Sequence, residues 1–191
     1  MADSGAIGVA PRARQGRNLA ELKRALASAP ERVNEVDEYG YTALMHAARE
    51  GDLPMVFELL STKGIAVNIG DKRGITAFHL AAGTARDAIV RLLAEHGADL
   101  NKQNNGGCTP LCIASFEGHE STVRCLLSIG ALPEIPGLPA RLQPEDTARL
   151  KGHAELADYL RAVDSSRSRH DRRSHEAEAR PRGRPRARER G

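Results

Sequence analysis

The chain has 191 residues and a formal net charge of +3, with 40% hydrophobic residues but only 3% aromatic ones and no Trp. That length suits one domain or a domain with tails. No apolar run approaches the roughly 18–20 residues of a membrane span, so no membrane association is expected. The charge is unevenly spread, with ten Arg against four acids in residues 165–191 and three Arg against Asp3 in residues 1–17, which leaves an acidic body between basic ends.

In chain order, residues 1–16 are too short and too broken by Gly, Pro and Arg for a signal peptide, and Asp3 and Pro11 argue against a mitochondrial presequence. A disordered basic N-terminus is expected there. From Asn18 to Asp37, "NLAELKRALASAPERVNEVD" places Leu19, Leu22 and Leu26 on one helical face and Glu21, Lys23 and Arg24 toward water. Three related segments follow: "GYTALMHAA" from Gly40, "GITAFHLAA" from Gly74 and "GCTPLCIAS" from Gly107. They align on Thr42, Thr76 and Thr109, then on Val56, Val90 and Val123, on Leu59, Leu93 and Leu126, and on Gly64, Gly97 and Gly130. Self-similarity at a period of 33 or 34 residues marks a stacked array of one supersecondary unit.

Each unit reads as two helices. The threonines cap the free N–H groups of the first helix, and Pro110 suits its first position. Small residues at Ala47-Ala48, Ala81-Ala82 and Ala114-Ser115 let neighbouring helices approach. Gly51 and Gly118 suit the left-handed residue that ends the first helix. Ala85-Arg86 stands in place of Gly-His in the second unit, which predicts a helix ending at Gly83. The second helices carry Val56, Leu59 and Leu60; Ile89, Val90 and Leu93; and Val123, Leu126 and Leu127. No unit can bury that face alone, so stacking must do it. Beyond the proline-bearing "ALPEIPGLPARLQ", the run "QPEDTARLKGHAELADYLRAV" repeats the helical part of a fourth unit.

These residues resemble the ankyrin repeat, most fully in the second unit with Asp71, Gly74, Thr76, His79, Ala81, Ala82 and Gly97-Ala98-Asp99. The resemblance implies an all-α ankyrin-repeat solenoid of helix-turn-helix units joined by hairpin loops, with disordered termini. The implied organisation is a disordered N-terminus at 1–16 and a repeat domain at 17–163, followed by a disordered Arg-rich tail at 164–191. Within the domain lie an N-cap at 17–36, repeats at 37–70, 71–103 and 104–136, and a degenerate C-cap repeat at 137–163 whose hairpin has lost the Asp-x-x-Gly turn.

The family also implies a concave face that holds partner proteins. Carried over position by position, that face comprises Glu38, Tyr39, Tyr41, Arg49 and Glu50; Lys72, Arg73, Ile75, Gly83 and Thr84; and Asn105, Gly106, Cys108, Phe116 and Glu117. Tyr, Arg and Phe are strong interface anchors. A non-catalytic protein-protein interaction module or adaptor, acting as a monomer in the cytoplasm or nucleus, is the expected function.

Catalysis is not expected: there is no phosphate-cradling loop with its Lys, no paired His on a helix and no nucleophile with an evident base. The family's histidine position holds Met45, His79 and Cys112 in turn, and His46 falls one place later, so no catalytic group recurs. The resemblance implies that His79 bonds nearby loop backbone. No cofactor or metal is expected: Cys108 and Cys112 with His119 lack the second pair that zinc favours, and Cys108, Cys112 and Cys125 read as reduced core thiols.

The tail offers a second reading. "RPRGRPR", Arg180 to Arg186, resembles the AT-hook of high-mobility-group proteins. Arg182 and Arg184 would extend along a narrow minor groove, Gly183 would let the backbone lie on its floor, and Pro185 would keep the segment extended. This gives an alternative: a nuclear adaptor whose tail binds DNA or another polyanion weakly. Ser168 and Ser174 beside arginines are candidate phosphorylation sites, and Asn101 resembles a loop asparagine hydroxylated in some family members.

Overall fold

The computed structural model describes residues 19–134 and 143–178, with side chains for 19–134 and 143–166. The N-terminal segment at 1–16, the middle of the fourth unit's leading loop and the Arg182–Pro185 segment lie outside the described residues, as do the side chains of Ser168 and Ser174.

Among the described residues the elements are α1 (Leu19–Ser28), a 3-10 turn (Pro30–Asn34), α2 (Ala43–Glu50), α3 (Leu53–Leu60), α4 (Ala77–Gly83), α5 (Asp87–Glu95), α6 (Pro110–Glu117), α7 (Glu120–Ser128), α8 (Pro144–Leu150) and α9 (Ala154–Glu178). Among the described residues, extended structure is confined to isolated antiparallel bridges, Val36 with Thr42 and Gly70 with Thr76, at the bases of two hairpins. First helices pack in one row, α2 on α4 on α6 on α8, and second helices in another, α1 on α3 on α5 on α7. The fold is an all-helical repeat stack.

Local rules set the start and stop of each unit. The hydroxyls of Thr42, Thr76 and Thr109 accept from the backbone N–H of Met45, His79 and Cys112. Each such cap is worth about 1 kcal/mol. Gly51 and Gly118 end α2 and α6 at φ 84° and 75°. The expected early end of α4 at Gly83 is present, and Ala85 occupies the left-handed position at φ 56°. Between the two rows lies the core: Leu22, Leu44, Leu59, Phe78, Leu93, Leu111, Leu126 and Leu160 are almost fully buried. Ala48, Ala81, Ala82 and Ala114 have no exposed surface, which is how the first helices come so close.

The last helix is the longest: α9 runs on to Glu178, for 25 residues and about 37 Å. Its backbone meets no obstacle: there is no Gly or Pro between Ala154 and Arg180, and Arg, Ala and Glu are good helix formers.

Candidate functional site

The hairpins that carry the candidate face are built on a repeated side-chain turn. Asp37 Oδ1 accepts from the N–H groups of Tyr39 and Tyr41, each at 2.9 Å. Asp71 Oδ1 does the same for Arg73 (2.9 Å) and Ile75 (2.8 Å), and Asn104 Oδ1 for Gly106 (2.9 Å) and Cys108 (3.0 Å). Asp and Asn are suited to this because a short side-chain oxygen can replace a backbone carbonyl in the turn.

The second and third tips are then tied to one another. Asn105 donates its backbone N–H to Arg73 O at 2.8 Å and its Nδ2–H to Lys72 O at 3.0 Å. His79 joins the second hairpin to the third: its Nδ1 accepts from Thr76 N–H (3.2 Å) and its Nε2–H donates to Cys108 O (3.2 Å). A backbone donor on one nitrogen and a carbonyl on the other fix the neutral tautomer. Burial pushes the imidazole below its ordinary pKa, against the opposing pull of the Cys108 carbonyl. His79 therefore bonds loop backbone, as the resemblance implies.

All fifteen residues assigned to the face are exposed or half-buried. Ile75, Gly106 and Cys108 sit in the turns just described. The carbonyl of Gly83 accepts from His119 Nε2 at 3.1 Å, and the Thr84 hydroxyl donates to Leu80 O at 2.8 Å. Two clusters of side chains form. In the first, Tyr41 lies between Arg49, whose guanidinium carbon is 5.7 Å from the ring centroid, and Arg73, whose Nη2 donates to the phenol oxygen at 3.2 Å. In the second, Lys151 places its ammonium 4.2 Å from the centroid of Phe116. Glu38, Tyr39 and Glu117 are exposed beside them.

Lys151 is absent from the expected face, as is Leu150, which is 75% exposed. They precede Gly152 as Phe116-Glu117 precede Gly118 and Arg49-Glu50 precede Gly51. Continuing the same alignment into the fourth unit identifies both.

His46 has a different role from His79. Its Nε2 bonds Asp37 Oδ2 at 2.8 Å, its Nδ1 is buried without a partner, and its ring lies 5.3 Å from that of Tyr41. Burial alone would raise the Asp37 pKa. The N–H of Tyr41, the His46 ring and the N–H of Tyr39 outweigh that and hold the carboxyl below its ordinary value. Burial raises the thiols of Cys108, Cys112 and Cys125. Among the described residues, no group of three or more His, Cys, Asp or Glu is placed to hold a metal ion, and no helix is long and apolar enough to cross a membrane.

Asn101 is half-buried and in use. Its Oδ1 accepts from Leu132 N–H at 2.9 Å, as Asn34 accepts from Ala66 and Asn68 from Asp99, both at 2.8 Å. On the opposite, second-helix side, Leu19, Leu53, Phe57 and Leu92 border an open hollow of about 610 Å³.

Residues 50–136 match the family model for ankyrin repeats in three copies. The stack is an ankyrin-repeat solenoid. Protein glp-1 of Caenorhabditis elegans is 32% identical to this chain over 169 residues, which is 81% of this chain and 12% of that one. SH3 and multiple ankyrin repeat domains protein 2 of Homo sapiens is 32% identical over 125 residues, 65% of this chain and 7% of that one. Protein phosphatase 1 regulatory subunit 27 of Homo sapiens is 34% identical over 83 residues, 44% of this chain and 54% of that one. The chain thus spans about half of the last of these relatives and a small part of the other two. Ankyrin repeats typically mediate protein-protein interaction and are in general non-catalytic.

Proposed function

We propose that this chain is a non-catalytic adaptor that holds a partner protein on the concave face of its ankyrin solenoid. The observation that carries this reading is the pair of aromatic–cation clusters, Tyr41 with Arg49 and Arg73, and Phe116 with Lys151, the first of them including a tip whose backbone Asn105 ties to the next unit. A surface fixed in advance loses less entropy when a partner docks. The adaptor works in the cytoplasm or the nucleus, as a monomer; imaging of the tagged chain and sedimentation test those two points.

The test is a nuclease-treated pull-down comparing the wild type with a folded Tyr39→Ala/Phe116→Ala/Glu117→Arg variant and a convex-side Phe57→Ala control. Proteins kept by the wild type and the control but lost by the triple variant support the reading. Equal capture by the wild type and the triple variant, or loss in the Phe57 control alone, overturns it.

A second reading rests on the Arg180–Arg186 segment. In it the adaptor is nuclear, and Arg182, Gly183, Arg184 and Pro185 contact A·T-rich DNA. DNA affinity that survives cutting the chain at Asp164 would remove that reading. Phosphorylation at Ser168 or Ser174 would cancel part of the tail's positive charge, and mass spectrometry tests it. Hydroxylation of Asn101, whose Oδ1 accepts from Leu132 N–H, is tested by the same mass spectrometry.

A further inference from the structure

The cluster around Tyr41 has a charge pattern that says more about its ligand. Arg73 keeps 70% of its side chain exposed, and two of its five N–H donors are used, Nε toward Asp71 Oδ2 at 3.3 Å and Nη2 toward Tyr41 at 3.2 Å. Asp71 is itself 3% exposed and already accepts from two backbone N–H groups, so it offers little to solvent or to a ligand. Arg49 keeps 43% of its side chain exposed, and its nearest carboxylate, Glu50, is 3.9 Å away, beyond hydrogen-bond distance. Lys72 is exposed on the same tip.

The tip is also stiff. Asn105 grips the carbonyls of both Lys72 and Arg73, and the Tyr41 ring is backed by the buried His46 ring 5.3 Å away. Two planar guanidinium groups therefore meet one aromatic ring, Arg49 over its face and Arg73 at its hydroxyl, each with unused donors. Guanidinium matches a carboxylate through paired, charge-assisted hydrogen bonds, which a lysine cannot reproduce.

We infer that the Tyr41–Arg49–Arg73 cluster is the receptor for an acidic side chain, Glu or Asp, on an extended segment of the partner protein. This rests on the concave-face reading and specifies its chemistry. The carboxylate sits between the two guanidinium groups, and the carbon stem of the same residue lies on the Tyr41 ring.

The probe is a blocked peptide of alternating Glu and Gly, with a Gln–Gly peptide as its uncharged counterpart. Each is titrated into the isotope-labelled full chain and followed by amide and Arg side-chain NMR. The expected result is shifts centred on Tyr41, Arg49 and Arg73 with the Glu peptide, absent with the Gln peptide, and about tenfold weaker binding in Arg73→Gln and in Arg49→Gln, both with unchanged melting. Arg73→Lys, which keeps the charge without the fork, falls between. Shifts confined to the basic chain ends, equal response to both peptides, no shifts at all, or unaltered affinity in both Gln variants overturns the inference. The pull-down variant leaves Arg49 and Arg73 in place, so a partner lost there while the Glu peptide ignores the cluster sinks this inference and spares the adaptor reading.

Discussion

Asn68 closes on Gly97: its Nδ2–H donates to Gly97 O at 3.0 Å while its Oδ1 accepts the N–H of Asp99 at 2.8 Å. One side chain thus satisfies a donor and an acceptor in the turn that ends the next second helix. Asn34 makes the same pair of bonds to Gly64 O and Ala66 N–H. Truncating Asn68 to Ala removes both bonds at once and is expected to cost about 2 kcal/mol, at roughly 1 kcal/mol each. Urea denaturation of Asn68→Ala checks this; an unchanged midpoint would mean that water replaces the strut without loss.

Ala85 holds the left-handed conformation that Gly51 and Gly118 hold in the neighbouring units. An L-residue with a Cβ pays roughly 1–2 kcal/mol there, which glycine avoids. Part of that gain is offset because glycine has more freedom in the unfolded chain. Ala85→Gly is therefore expected to stabilise the fold by about 1 kcal/mol. A lowered melting temperature would contradict the assignment.

The opposite substitution separates backbone strain from crowding. At Gly118 an added Cβ would meet the His153 ring at 2.5 to 2.8 Å, whereas at Gly64 nothing lies within 4 Å; both have positive φ, 75° and 85°. Gly64→Ala should lose about 1 kcal/mol from the backbone alone. Gly118→Ala should lose visibly more, because it also displaces the imidazole that packs across the unit boundary. Equal losses in parallel melts would show that His153 moves aside freely.

His79 predicts a pH dependence with a definite sign. Its folded pKa lies below its unfolded value of 6.5, so the fold gains stability from it above that pH. The gain disappears as pH falls from 6.5 toward the folded pKa, where the unfolded chain binds the proton first. Asp37 adds a second loss at lower pH, beginning near its ordinary value of 3.8, because its folded pKa is also depressed. His79→Met, which copies Met45 of the preceding unit, should be less stable at neutral pH and should show a shallower loss of stability just below pH 6.5. A wild-type stability flat across that window would refute the account.

The threonine caps, the glycine stops, the early end of α4 and the alanine contacts are legible in the sequence because each depends on a residue and its own near neighbours. The asparagine struts at 34, 68 and 101 are not, although they recur with the repeat. Asparagine in a loop reads as turn chemistry, and its partner lies about thirty residues on. The same gap hides the Tyr41–Arg73 bond, which joins the tips of two units. Continuing the alignment by one more unit would have added Leu150 and Lys151 to the face. The extent of α9 is not written in the hydropathy pattern: low apolar content argues against burial, and absence of Gly and Pro permits a helix without it.

The bonds that join one unit to the next run largely to main-chain atoms: Asn68 to Gly97 and Asp99, His79 to Cys108, Asn105 to Lys72 and Arg73, and His119 to Gly83. A main-chain acceptor is present whatever residue supplies it. Exposed positions such as Tyr39, Lys72 and Glu117 can therefore change identity while the joints survive. Folding and recognition draw on largely separate letters of this sequence, so a library randomised at those positions should yield stable stacks redirected to new targets.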